Sequence, residues 1–467
     1  MGIDFNVLFE EEIPKYIQIS NHIKKLIDNK EIQDGEKLPT IRKLSLELGV
    51  NNVTIVNAYK KLKNDGYAYQ KVGSGTYAKR KDILPIFNRE YNRCFKKLNE
   101  KELNNIIDFS GETSTEVYFP INKFKDVMNR VLDRDGANAL IMKEPLGYEE
   151  LRKTINNSFW NNSLNLDNIL VVSGAQQGID IASKAILNIN DNVIVEKPTY
   201  GGALSVFKWR RANIFEVNLD KDGINVKEFE EILKKNKIRC FYTMSYFHNP
   251  TGISCSREKK IKLLELAEKY DFYIIEDDYL SELIYEDGHV HEPLKKLDKN
   301  DRVVYIKSFS KIFLPGIRLG YIITPECFRE SIQNSKISTD IATSSLMQRA
   351  LELYIKDGFW KGHINFQKEE YKKKYLLMKK LIEENLSDKV KFIDPKGGLN
   401  FYLELKDKKY TSKGLFYLLK EKGIYITPGV IFFRYPSDGA YTFRIGFSQV
   451  DEEKIIKGIK IIREELK

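Results

Sequence analysis

Sulfur, tryptophan and histidine are scarce in this chain. Its 467 residues include 4 cysteines, 6 methionines, 3 tryptophans and 5 histidines. Cys94, Cys240, Cys255 and Cys327 stand far apart and never as a C-x-x-C pair, which argues against a disulfide framework or a thiolate zinc site and sets the expectation of a reducing compartment. His22, His289, His291 and His363 show no metal-ligand spacing, and His248 reads as local scaffolding beside Asn249, so no metal is expected. No apolar run approaches the roughly 18 residues that a membrane helix needs. The opening "MGIDFNVLFEEE" carries acids where a signal peptide has a basic and then an apolar stretch, so a cytoplasmic protein is expected. Internal repeats and low-complexity tracts are missing too.

What remains is globular: 42% hydrophobic and 30% charged residues, in a chain long enough for two or three domains. The formal net charge is +10. Much of it is concentrated in one stretch, because Lys37 to Lys81 holds ten Lys and Arg residues against Glu47 and Asp65.

That stretch has a pattern. "IPKYIQISNHIKKLIDNK" puts Tyr16, Ile19, Ile23, Leu26 and Ile27 on one helical face. Thr40 can cap a short helix with Ile41, Leu44 and Leu48 inward, which Gly49 ends. Asn51 or Asn52 can cap a second helix that buries Ile55, Tyr59 and Leu62, and "YAYQKVGSGTYAKR" supplies a hairpin around Gly73-Ser74-Gly75. Two short helices joined by a glycine-containing turn, followed by a wing, form a DNA-reading arrangement. Residues 1–81 resemble the winged helix-turn-helix of GntR-type bacterial regulators through "LPTIRKLSLELGV", "VTIVNAY" and "GSGTY". The resemblance implies an operator of double-stranded DNA as partner. Asn51, Asn52, Val53, Thr54 and Asn57, at the start of the second helix, would face base edges. Arg42, Lys43, Lys71 and Ser74 would lie along the phosphates, and Thr40 and Thr76 would contact DNA as well. Asn52 stands where the family often carries arginine, so a different base preference is implied.

Residues 82–105 have mixed charge and no sustained periodicity, and are read as a linker. From 106 to 467, apolar strands ("NILVVSG", "DNVIVEKP", "IRCFYTMSY", "DFYIIEDDY", "RVVYIKSFSK") alternate with amphipathic helices. This predicts an α/β domain with a mainly parallel sheet at about 120–350, followed by a smaller α+β part at about 351–467, with ligands beyond the carboxyl ends of the strands. At those ends stand Gly174-Ala175-Gln176, the turn "YFHNPTG", Asp277, and then Ser308, Ser310 and Lys311. A lysine beside anion-binding groups points to pyridoxal 5'-phosphate, captured as a Schiff base.

"HNPTG", "EDDY", "SFSKIFLPGIRLGY" and "TFRIGFS" occur in the order found in fold type I aminotransferases, and the whole chain resembles the MocR subfamily of GntR regulators. The resemblance implies roles. Lys311 would form the aldimine. Arg318, Ser308, Ser310 and the backbone of Gly174, Ala175 and Gln176 would hold the phosphate. Asp277 would keep the pyridine nitrogen protonated, Asn249 and Tyr279 would bond the ring phenolate, and Tyr200 would stack on the ring. Arg444 would receive a substrate or effector carboxylate. A homodimer is implied as well. Two positions depart from the family. Met142 replaces a tyrosine that reaches the neighbouring subunit's phosphate, and Gly202 stands where some relatives place an effector-binding arginine. The leading expectation is a regulator that senses an amino acid, an amine or pyridoxal phosphate through Lys311. An active aminotransferase with an accessory DNA-binding module is the alternative, and a large domain reduced to a dimerisation body is a third reading, against which the intact "HNPTG" and "SFSK" argue.

Overall fold

A computed structural model describes residues 3–79, Tyr91 and 106–467, with the exception of 8, 12, 30, 34, 72, 73, 142, 143, 287–290 and 341. The expected linker (Tyr91 apart), Cys94, Gly73, Met142 and His289 therefore lie outside the described residues, as does the side chain of Lys71. The chain divides into two compact units: Met1–Lys97 falls in the smaller, and Leu98–Phe433 with Gly439–Lys467 makes the larger.

The smaller unit is built from α1 (Lys15–Asp28), α2 (Ile41–Glu47), α3 (Asn52–Asn64), β1 (Ala68–Lys71) and β2 (Gly75–Ala78). Thr40 Oγ1 accepts the Lys43 N–H at 3.3 Å where α2 begins, and Asn51 Oδ1 accepts the Val53 N–H at 2.9 Å where α3 begins. Each cap satisfies a first-turn donor that no helical carbonyl can reach. The 3.6-residue period then packs Ile19, Ile23, Leu26 and Ile27 of α1 against Leu44 of α2 and Ile55, Ala58, Tyr59 and Leu62 of α3. The Tyr59 hydroxyl, carried into that core, donates to the Pro39 carbonyl at 2.7 Å. β1 and β2 pair antiparallel from Ala68↔Ala78 to Lys71↔Gly75, and Ala68 and Ala78 join the same core. The result is a helix-turn-helix with a wing.

The larger unit opens with β3 (Ile107–Asp108), followed by β4 (Ile169–Val172), β5 (Asn192–Lys197), β6 (Asn213–Asp220), β7 (Gly223–Ile224), β8 (Cys240–Thr243), β9 (Tyr273–Asp278), β10 (Val303–Ser308) and β11 (Gly320–Ile323). Eight of these form one sheet in the order β4-β11-β10-β9-β8-β5-β6-β7. The pairs β10·β9, β9·β8, β8·β5 and β5·β6 are parallel, while β11 runs against both its neighbours. β4, β8, β10 and β11 are buried along their whole length, as strands covered by helices on both faces must be. Ile194, Phe241, Ile274 and Val303 of the sheet pack with Phe229 and Leu233 of the helix Val226–Lys235 and with Leu263 and Leu266 of the helix Arg257–Lys269.

A second, antiparallel sheet has the order β12 (Val390–Phe392), β13 (Asn400–Leu405), β16 (Thr442–Gly446), β15 (Thr427–Pro428). Beside it β14 (Ile424–Tyr425) pairs parallel with β3, so residues 107–108 are bound to the C-terminal part of the unit. The segment after β3 lies directly on β16. The Gly446 N–H donates to the Phe109 carbonyl at 2.6 Å, and a Cβ on Gly446 would come within 2.1 Å of the Gly111 carbonyl oxygen. Only glycine allows this approach.

Candidate functional site

The carboxyl end of β9 explains three consecutive acids. Successive strand residues face opposite sides of a sheet. Glu276 accepts the Leu294 and Lys295 backbone N–H groups at 2.8 and 3.0 Å, and Asp278 accepts from Lys307 Nζ at 2.9 Å and the Tyr305 hydroxyl at 2.7 Å. Both are therefore structural. Asp277 points the other way. Its Oδ2 accepts the Tyr242 hydroxyl at 2.8 Å, while its Oδ1 is buried without a hydrogen-bond partner among the described residues. Burial pushes the Asp277 carboxyl up to about 7, with the Tyr242 hydroxyl opposing that rise.

The ends of β4 and β10 make a cradle. Gly174, at φ +95°, turns the chain from β4 into the helix Ala175–Ile186, a backbone angle that an L side chain seldom adopts. The first-turn N–H groups of that helix have no carbonyl of their own to bond. A Cβ on Gly174 would lie 3.2 Å from Arg318 Nη2, which donates to the Ser173 carbonyl at 2.6 Å. Ser308 Oγ accepts the Ser310 N–H at 3.2 Å, and Ser310 Oγ is itself buried without a partner among the described residues. Gln176 turns aside, its Nε2 donating to the Gly202 carbonyl at 3.1 Å.

Lys311 and Arg444 meet across Glu112. Lys311 Nζ lies 2.6 Å from Glu112 Oε1, and Arg444 Nη1 donates to Glu112 Oε2. The Asn249 amide Nδ2 donates to that same oxygen at 2.9 Å, and its Oδ1 accepts Arg444 Nη1 at 2.7 Å. Burial pushes the Glu112 carboxyl up, but Arg444 and Lys311 outweigh it and hold the group down at about 2. Tyr200 and Tyr279 are both pushed up by burial first, with Glu112 and Asp277 adding to the rise, so these groups share one electrostatic neighbourhood.

Residues 110–462 match the aminotransferase class I and II family. The chain belongs to this family. Residues 15–78 of this aminotransferase-family chain also match the gntR family of bacterial regulatory proteins. It is 32% identical over 376 residues to an aromatic-amino-acid aminotransferase of Thermococcus litoralis, covering 78% of this chain and 89% of that protein. It is 30% identical over 469 residues to YdfD of Bacillus subtilis, described as an uncharacterized HTH-type transcriptional regulator, covering 96% of this chain and 95% of that one. The solved structure of a Pyrococcus horikoshii kynurenine aminotransferase, in complex with PMP, covers 83% of this chain and 100% of its own at 30% identity and a TM-score of 0.72. The two-part architecture is of the MocR type, and the large unit is a fold type I aminotransferase domain.

The cofactor of such a domain is pyridoxal phosphate, and the residues present suit it. The unpartnered Asp277 Oδ1 offers an acceptor for a ring N–H, and the unpartnered Ser310 Oγ offers a hydroxyl for a phosphate. Other placements differ from expectation. The Tyr279 hydroxyl donates to the Phe247 carbonyl at 2.7 Å, so its one proton is committed to the backbone rather than to a ring oxygen. Asn249 is bonded to Glu112 and Arg444. Glu112 and Tyr242 were invisible in the sequence. Tyr242 is one apolar-looking strand residue among four, and Glu112 lies in "FSGETS", where nothing in the spacing singles out an acid.

In the smaller unit, Thr40, Arg42, Lys43, Asn51, Asn52, Val53, Asn57 and Ser74 are exposed and Thr54 is half-buried. Val53 is 62% exposed, a large apolar group left in solvent at the start of α3. Asn52 Oδ1 accepts the Ser45 hydroxyl at 2.7 Å, which fixes its amide across the turn between α2 and α3. Thr76 is a correction: its side chain is 8% exposed, because the β2 pleat turns it inward, so its hydroxyl offers no surface contact.

Proposed function

We propose that the protein is a pyridoxal-phosphate-dependent DNA-binding transcriptional regulator whose aminotransferase-like domain senses an amine, an amino acid or pyridoxal phosphate itself. The observation that carries the reading is the pairing, in one chain, of a gntR-family unit with exposed α3 residues and an aminotransferase-fold site with an unpartnered buried acceptor at Asp277. The near full-length likeness to a described HTH-type regulator supports it. Bound to Lys311, the cofactor would supply an electrophilic carbon and an electron-accepting ring. Asp277 would hold the ring proton, Arg318, Ser308, Ser310 and the start of the helix Ala175–Ile186 would hold the phosphate, and Tyr200 would cover one ring face. Arg42, Lys43 and Ser74 would contact DNA phosphates while Asn51, Asn52, Val53, Thr54 and Asn57 face the bases. We place the protein in the cytoplasm as a homodimer. Among the described residues no helix is long and apolar enough to cross a membrane.

The test is direct. Cofactor-loaded wild-type protein is expected to show an absorption band near the visible edge that borohydride traps, and Lys311→Ala is expected to lose it. Fragments selected from the source genome with and without cofactor should then yield one operator class. Wild-type protein without a trappable band ends the cofactor assignment, and binding without preference among fragments ends the regulatory one. The 32% identity to a protein named an aromatic-amino-acid aminotransferase favours a second reading, an active enzyme with an accessory DNA-binding module. Steady conversion of a 2-oxo acid at about 1 s⁻¹ or faster would establish it.

A further inference from the structure

We propose that the chain's own Glu112 fills the carboxylate position of the effector site, so that the site takes primary amines with no carboxylate on the carbon that bears the nitrogen. The inference rests on the reading of Lys311 as the cofactor lysine and Arg444 as the carboxylate receiver.

Arg444 is 4% exposed, and both its Nη groups are engaged, while its Nε is buried without a partner among the described residues. Nη1 reaches Glu112 Oε2 and, at 2.7 Å, Asn249 Oδ1; Nη2 reaches the Ser110 carbonyl at 3.1 Å and Thr427 Oγ1 at 3.3 Å. A guanidinium receives a carboxylate through a two-pronged fork, and here one prong, Nη1, is held by the internal Glu112 carboxylate while Nη2 is held by Ser110 and Thr427. An entering α-carboxylate must either expel Glu112 from three partners or lie beside it, two like charges in a desolvated place.

Expulsion is hindered by the backbone. Glu112 follows Gly111, whose carbonyl lies against Gly446 of β16, the strand that carries Arg444 itself. Phe109 is bonded to Gly446 N–H at 2.6 Å and donates to the Tyr425 carbonyl at 2.9 Å. The backbone that carries the acid is thus bonded to the strand that carries its arginine, which fixes the spacing of the two.

The same acid recommends amines. Glu112 Oε1 faces Lys311 Nζ at 2.6 Å. Were that nitrogen taken up by the cofactor, Oε1 would no longer face a free lysine ammonium, and an alkylammonium would supply a cation there. A ligand nitrogen is therefore welcomed at the place where a ligand carboxylate is refused.

The experiment is calorimetric titration of the full-length, cofactor-loaded protein with matched pairs: isopentylamine against L-leucine, and phenethylamine against L-phenylalanine. Wild type should bind each amine at least about tenfold more tightly, the scale of one lost charged hydrogen bond. Glu112→Gln, which keeps the shape and removes the charge, should raise amino-acid affinity by about tenfold and lower that of the amines. Glu112→Asp should keep the amine preference. Equal or tighter binding of the amino acids by wild type overturns the inference, as does an unchanged ratio in Glu112→Gln. The wild-type ratio decides by itself where a variant does not fold. Failure to load cofactor, read from the missing absorption band, overturns the cofactor reading and this inference with it. A loaded protein with the opposite preference overturns this inference alone.

Discussion

Asp277 and Glu112 are carboxylates in one site with opposite proton affinities, and each makes its own pH signature. Without cofactor, folded Asp277 keeps its proton up to about pH 7, whereas in the unfolded chain it titrates near its ordinary value of 3.8. Between those values the folded state binds more protons, so stability from this group is present at low pH and falls as pH rises from about 4 to about 7. Thermal unfolding of cofactor-free Asp277→Asn should lack that part of the decline. Glu112 has the reverse sign. Its folded carboxyl is held at about 2 against an ordinary 4.5, so its contribution is present above about pH 4.5 and is lost as pH falls towards 2. The difference in unfolding free energy between wild type and Glu112→Gln should be largest near neutral pH and shrink on acidification. Sequence alone marked Asp277 through its place in "EDDY". It could not mark Glu112, whose importance comes from residues 199 and 332 positions away, Lys311 and Arg444, brought to it by the fold.

At the scale of elements, local signals were legible where they act locally. The capping residues Thr40 and Asn51, the buried faces of α1 and α3, and the hairpin at Ser74 follow from periodicity and side-chain chemistry over a few positions. Replacing the α3 cap by Asn51→Ala should cost the smaller unit about 1 kcal/mol, seen as a lower unfolding midpoint, since one first-turn donor loses its acceptor. The strands with continuous apolar runs were legible as well. β6, β7 and β11 were not: β6 buries only Ile214 and Val217, with no period-two alternation, and β11 is a four-residue stretch whose reversed direction is set by its neighbours β10 and β4. The pairing of β3 with β14 joins residues more than three hundred positions apart, and no local pattern announces it.

For the whole molecule, regulation requires that a ligand bind two arrangements of the protein with unequal affinity. Binding to a selected operator should weaken steeply with salt, because Lys and Arg on DNA phosphates release counterions. Lys43→Ala should weaken binding evenly across sequences and reduce the log–log salt slope by about 1, whereas Asn57→Ala should change which sequences are preferred. Fluorescence anisotropy at several salt concentrations separates the two effects. The net charge of +10 would enter as a uniform attraction and not as a source of sequence choice.

The short ladder between β3 and β14 has a mechanical consequence. At the start of the larger unit the chain is cleated at Ile107 and Asp108, by the Ile107 N–H on the Gly423 carbonyl and the Phe109 N–H on the Tyr425 carbonyl, each at 2.9 Å. Glu112 is the lever arm just past the cleat. A molecule that unseats Glu112 would work against this anchorage, within the larger unit.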